Sequence, residues 1–136
     1  MNSTSPSNPT RYMLLFRDGD ATYHQMSPAQ RQELLQQWNE WYQRLFSQGK
    51  LEGGHPLEGT GRVVSRSGSR TVDGPFVEST EAVGGYFLLT VNTLEEAVEI
   101  ASDCPSVRLG LTVEVRPVAD MCPSLRQFQE ALAEAV

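Results

Sequence analysis

A carboxylate and an imidazole are the side chains best placed for proton transfer: Asp73 in TVDGPFVEST (71–80) and His55 in GGHPL (53–57). Asp73 ends a predicted strand, where its carboxylate can face a cleft as a base or hydrogen-bond acceptor. The competing role is structural, since Asp at a reversal commonly accepts local backbone N–H groups. Asp73-Gly74 alone would signal a two-residue hairpin, but Pro75 has no N–H and holds Gly74 to extended shapes. The stretch therefore reads as a wider reversal, with Phe76 directed into the core or a cleft. His55 follows two glycines that permit close backbone approach, and Pro56 marks a strand end or sheet edge. Facing Asp73, its imidazole would have a fixed tautomer suited to moving a proton. Without such a partner it is a partly exposed histidine bonded to backbone.

The remaining polar residues have weaker claims. Arg17 and Arg62 can project from a sheet toward an anionic group through the planar guanidinium fork, or form surface ion pairs of small energetic value. Glu78 and Glu81, three residues apart, are either an acid/base pair or a solvated loop face. His24, beside Tyr23, lies in a predicted loop. The two histidines are far apart, with no Cys or carboxylate at ligand spacing, so no metal site is expected. Neither Ser nor Cys sits in a nucleophile elbow, no phosphate loop is present, and no cofactor is expected.

Composition narrows the class. The chain has 136 residues, enough for one domain with a real core. Its net charge of -6, with ten of the eleven basic residues being scattered arginines, gives no footprint for nucleic acid. No apolar run approaches a membrane span, and MNSTSPSNPT at the N-terminus has neither the basic nor the apolar part of a secretory signal. Cys104 and Cys122 are expected as ordinary thiols in a reducing, cytoplasmic setting.

These residues must be positioned by a small set of elements. Residues 12–16 (YMLLF) form a continuous apolar run. Ser27-Pro28-Ala29-Gln30 is a capping box with Pro at the first helical position. Leu34, Trp38, Trp41 and Leu45 follow at helical spacing, Leu35 and Tyr42 widen the stripe, and Gly49 closes the helix. The aromatic group Trp38, Trp41 and Tyr42 reads as packing rather than a ligand cage. Strands are predicted at 51–57, 62–65, 70–73 and 84–91. Thr93 caps a second helix with Leu94, Ala97, Val98, Ala101 and Cys104 inward, ended by Pro105. Residues 112–116 alternate as a strand, and Leu125, Phe128 and Leu132 mark a last helix from about residue 124.

The order β–α–β–hairpin–β–α–β predicts an α+β, ferredoxin-like sandwich. It divides into a polar tail (1–10), a domain (11–118) and a C-terminal helical extension (119–136). Two helices cover one face of such a sheet, yet YMLLF and YFLLTV are apolar on both faces. A homodimer packing sheet against sheet is the expected cover, or else the C-terminal helix folded back or swapped onto a partner.

Four segments carry a resemblance: YMLLFRDG (12–19), QGKLEGGHPLE (48–58), VDGPFVESTEAVGGYFLL (72–89) and EVRPV (114–118). Over residues 12–118 the chain resembles the YCII-related superfamily, in the branch marked by its DGPF motif. The resemblance implies a dimeric α+β barrel. Some members of the superfamily carry a His and an Asp, near the two ends of the first long helix, proposed as a catalytic pair. The matching places here fall near Gln30 and Ser47, so that pair is absent. The branch commonly has a basic residue where this chain has Thr80, so any pairing of that base with Glu78 or a substrate is missing too. The wider fold includes cofactor-free enzymes on aromatic substrates, and one relative eliminates chloride from a hydroxylated aromatic. Branch members are associated through gene neighbourhood with extracytoplasmic-function sigma factors. Two functions are thus expected: a small-molecule site for a polar or aromatic compound, with acid/base or elimination chemistry, or a non-catalytic regulatory dimer beside such a sigma factor.

Overall fold

A computed structural model describes residues 10–17, 25–66, 68–72 and 83–135. The elements run β1 (Arg11–Arg17), α1 (Pro28–Ser47), β2 (Leu51–Pro56), β3 (Gly61–Ser65), β4 (Gly68–Val72) and β5 (Val83–Thr90). They continue with α2 (Leu94–Ser102), a 3-10 turn (Val107–Leu109), β6 (Thr112–Pro117) and α3 (Pro123–Glu134). Strands β2, β5, β1 and β6 form, in that order, an antiparallel sheet, while β3 and β4 pair separately as a hairpin. With α1 joining β1 to β2 and α2 lying between β5 and β6, this is the expected ferredoxin-like α+β topology.

Strand alternation divides the sheet into two unlike faces. Tyr12, Leu14 and Phe16 of β1 pair across from Leu89, Phe87 and Gly85 of β5, and all six are buried beneath the helices. Met13, Leu15 and Arg17, with Tyr86 and Leu88, take the opposite face and are only half-buried.

Helix α1 starts as its sequence dictates. Gln30 N–H donates to Ser27 Oγ at 3.1 Å, and Ser27 N–H donates to Gln30 Oε1 at 2.8 Å. The helix ends before Gly49, whose φ of +73° is the left-handed region that glycine enters without strain. Leu34, Trp41 and Leu45 are its buried residues, whereas Leu35, expected to widen the stripe, is 62% exposed.

In α2 the inward residues are Ala97, Ile100 and Ala101, continued by Cys104. Leu94 and Val98, expected inward, are exposed. At about 100° of turn per residue, Ala97 and Cys104 set the centre of the buried stripe and leave these two on its flank. The helix stops at Ser102, ahead of Pro105. Helix α3 forms at the expected place, but none of its residues is buried.

The two cysteines are free and differ in chemistry. Burial pushes the Cys104 thiol up from 9.0 to about 11, against the opposing peptide N–H groups of Ser106 and Val107. The exposed Cys122 thiol is held below its ordinary value by the peptide N–H groups of Leu125 and Ser124 at the start of α3.

The raised Cys104 value has a definite sign. The folded state holds this proton longer than the unfolded state, so the contribution is complete below pH 9 and is lost as pH rises toward 11. Raising that thiol from 9.0 to about 11 corresponds to about 2–3 kcal/mol. Urea unfolding at pH 8 and pH 11 should therefore show an alkaline loss of roughly that size in wild type, smaller in Cys104→Ala. Iodoacetamide should label native protein at Cys122 and reach Cys104 only on unfolding.

Candidate ligand cavity

The buried face does not fill completely. Between α1 and one end of the sheet lies an open cavity of about 610 Å³. From the helix, Leu35, Trp38, Asn39 and Tyr42 line it; from the sheet, Phe16, Phe87 and the backbone-rich ends of β2 and β5. Leu109 and Leu111, after α2, complete the apolar wall.

The cavity has a physical cause in the strand sequences. Gly54 pairs with Phe87, and Gly85 pairs with both Pro56 and Phe16. Neither glycine adds a side chain beside Phe87 and Phe16 on the helix-facing side, while α1 offers bulky rings across the gap. Both glycines are also required by close approach within the sheet. A Cβ at Gly54 would run into Tyr86 O and come within 2.6 Å of Phe87 Cδ1. One at Gly85 would lie 3.0 Å from His55 O.

Polar groups are few and already ordered. Trp38 Nε1 donates to Ser106 Oγ at 2.8 Å, which ties α1 to the turn after α2. His55 and Tyr86 face each other across β2 and β5, with Nδ1 and Oη hydrogen-bonded at 2.8 Å. The hydroxyl donates when Nδ1 is bare, and the ring N–H donates in the other tautomer. Alternation puts both side chains on the sheet face opposite the buried Phe87, and both residues are among those bordering the cavity where β2 and β5 end. The side chains of Asn39 and Gln43 are the further amides available there. No Asp, Glu, Lys or Arg lines the cavity among the described residues.

The residues singled out in the sequence are dispersed. His55 is on the rim, with Tyr86 as its partner. Arg17 lies on the opposite sheet face, where its Nη2 donates to Glu114 Oε1 at 2.6 Å while its Nε is buried without a hydrogen-bond partner. Arg62 is an exposed residue of the β3–β4 hairpin. Asp73, Phe76, Glu78, Thr80, Glu81 and His24 lie outside the described residues. Gln30 is occupied in the α1 cap, and Ser47 Oγ donates to Arg44 O at 3.0 Å, so both have local structural roles. Among the described residues no cluster of His, Cys, Asp or Glu could hold a metal ion.

Sequence reasoning missed Tyr86, and it read Trp38 and Tyr42 as packing alone. Trp38 and Tyr42 do pack against the core, and they are also the cavity wall. The available signal was the recurrence of Gly-Gly in two strands, at 53–54 and 84–85, which marks close backbone approach and missing side-chain volume.

A family model, that of the YCII-related domain, matches residues 10–122. No curated protein matches the chain.

The glycine floor makes a paired prediction. Nothing lies within 4 Å of a Cβ built at Gly53, in contrast to Gly54. Gly54→Ala should lower unfolding stability in urea by about 1–3 kcal/mol through overpacking against Phe87 and the β5 backbone. Gly53→Ala should stay within about 0.5 kcal/mol of wild type.

Proposed function

The chain belongs to the YCII-related family, and from that premise we propose that it binds a small, largely apolar aromatic molecule in the cavity beneath α1. The observation that carries this reading is the cavity itself: ring-lined and open, with no charged side chain among its described lining residues. A site of this size and polarity fits one small planar molecule, held by apolar contact and oriented by a few polar groups. Among the described lining residues a fully charged ligand would find no ionic partner to offset its lost hydration.

The chemistry proposed is cofactor-free proton transfer or elimination at the rim. His55 is the base or acid, and its hydrogen bond to Tyr86 orients the ring. Asp73 is kept as a second candidate on sequence grounds, at the DGPF motif that marks the proposed branch of the family. Phe76, Glu78, Arg17 and Arg62 stand as ligand-binding candidates of lower rank; neither arginine borders the cavity.

A second reading is favoured by a different observation. The described sheet has helices on one face only, and its other face presents Met13, Leu15, Tyr86 and Leu88. We therefore propose a homodimer in which two such faces meet. The role proposed for that dimer is regulatory or accessory, of the kind the branch's link to extracytoplasmic-function sigma factors suggests. No described helix is long and apolar enough to cross a membrane, and the working proposal is a cytoplasmic protein that binds neither membrane nor nucleic acid.

A thermal-shift screen of small aromatic compounds tests the first reading, with Leu35→Glu as the control. Leu35 lines the cavity yet is largely exposed, so the substitution should leave the melting temperature nearly unchanged and abolish every ligand-induced shift. Ligands that stabilise both proteins equally would place binding elsewhere. If no compound binds wild type, the small-molecule reading fails. For proteins that bind, His55→Gln and Asp73→Asn should remove turnover while His55→Gln leaves binding intact; unchanged turnover in both would sink the acid/base assignment. Light scattering at micromolar concentration should give twice the 15.1 kDa protomer mass, and a monomer would overturn the dimer.

A further inference from the structure

We infer that α3 is an exchanged arm that packs on a second copy of this chain; the inference rests on the homodimer proposed above and adds to it. The helix has no support of its own. It is 12 residues long, begins with Pro123 and lacks an acidic residue in its first turn and a basic residue in its last. Its N-cap is Cys122, whose thiol is a far weaker acceptor for the first peptide N–H groups than the Ser, Thr, Asp or Asn usual there. A solitary helix of this length is marginal in water, and its macrodipole is uncompensated at both ends, with Glu134 at the unfavourable end. Something must pack against it.

What it offers is a stripe. Leu125, Phe128 and Leu132 recur at helical spacing and are 47%, 60% and 54% exposed. The protomer does not cover this stripe, since no residue of α3 is buried. The connector explains why. Val118 N–H still donates to Arg11 O, at 2.9 Å, so only residues 119–122 separate the sheet from the helix. Pro123 holds Cys122 in an extended conformation, with φ -52° and ψ 124°. A short connector of this kind directs a helix away from its own domain and favours exchange between copies. Leu125, Phe128 and Leu132 lie beyond residues 10–122, the part of the chain that the family model matches.

Interface area selects a second copy as the occupant. Four strands of six to eight residues present a face of roughly 400 Å², so two faces in contact bury about 800 Å² in all. That is the upper end of nonspecific contacts, below the ~1,200–2,000 Å² of stable specific interfaces. A 12-residue helix about 18 Å long and 10 Å wide, laid on a partner from each side, raises the total to roughly 1,500 Å². The sheet faces alone make a weak interface, and the two arms bring the total into the range of stable ones.

The experiment uses the full chain. A photo-crosslinking residue, p-benzoylphenylalanine, is placed at position 128, and a second preparation carries Phe128→Glu. Irradiation should produce a covalent band at twice the protomer mass, with the crosslinked peptides coming from chains of different isotope label. By sedimentation equilibrium Phe128→Glu should dimerise at least tenfold more weakly than wild type, with an unchanged circular dichroism spectrum in the strand region. Crosslinks confined to one chain, or a dimer as strong in Phe128→Glu as in wild type, would overturn the arm and leave the sheet-to-sheet dimer standing. A wild-type monomer overturns both.

Discussion

Four aromatic rings hold the helical layer on the sheet. Phe16 of β1, Trp38 and Trp41 of α1 and Phe87 of β5 are all in mutual contact, with centroids 5.0–6.2 Å apart in edge-to-face and stacked pairs. Each such pair contributes about 0.5–1.5 kcal/mol beyond its buried area. Trp41 lies deepest, 2% exposed, and anchors the cluster. Trp38 is nearer the edge, and its indole N–H needs a partner there. Ser106 supplies it, which draws the turn after α2 against α1 and sets Leu109 and Leu111 beside the same opening. The wall of the cavity is thus the outer margin of the core, held by the same rings.

That arrangement also decides what the opposite face must do. All the buried side chains of β1 and β5 point to the helices, and alternation puts Met13, Leu15, Tyr86 and Leu88 on the other side without choice. Charged residues surround this apolar centre: Arg17 bound to Glu114, and Arg116 3.8 Å from the same carboxylate. Both signs are present on one face. Such a face can meet its own copy about a two-fold axis with Arg opposite Glu, which a face of one sign could not.

The fold was legible because its signals are local and mutually consistent. The Ser27 capping box, Gly49, the two-sided runs YMLLF and YFLLTV and the cap at Thr93 each fix an element, and their order leaves few topologies. The errors fall where packing depth decides. Leu35, Leu94 and Val98 obey helical periodicity but sit on the flank of a stripe whose width depends on what lies opposite. The candidate site was harder to read for a related reason. His55 was found from its setting, but its partner Tyr86 is 31 residues away, brought opposite by β2–β5 pairing through an irregular register at Leu51/Gly53. Periodicity carries no information about which residue of another strand will stand across a pair.

The glycines argue that the cavity is built into the fold rather than left by poor packing. A glycine inside a strand adds unfolded-state entropy and contributes no side-chain contact. Gly54 and Gly85 nonetheless stand in paired strands at one level of the sheet, where a Cβ would collide with Tyr86 O at Gly54 and crowd His55 O at Gly85. Larger residues at either place would push β2 and β5 apart and disturb Phe87, the ring shared by the core and the cavity wall. Close strand approach, an unfilled floor and an intact aromatic cluster are therefore one constraint. The same strand pairing sets Tyr86 opposite His55, so the polar rim is fixed by the pairing that leaves the floor open.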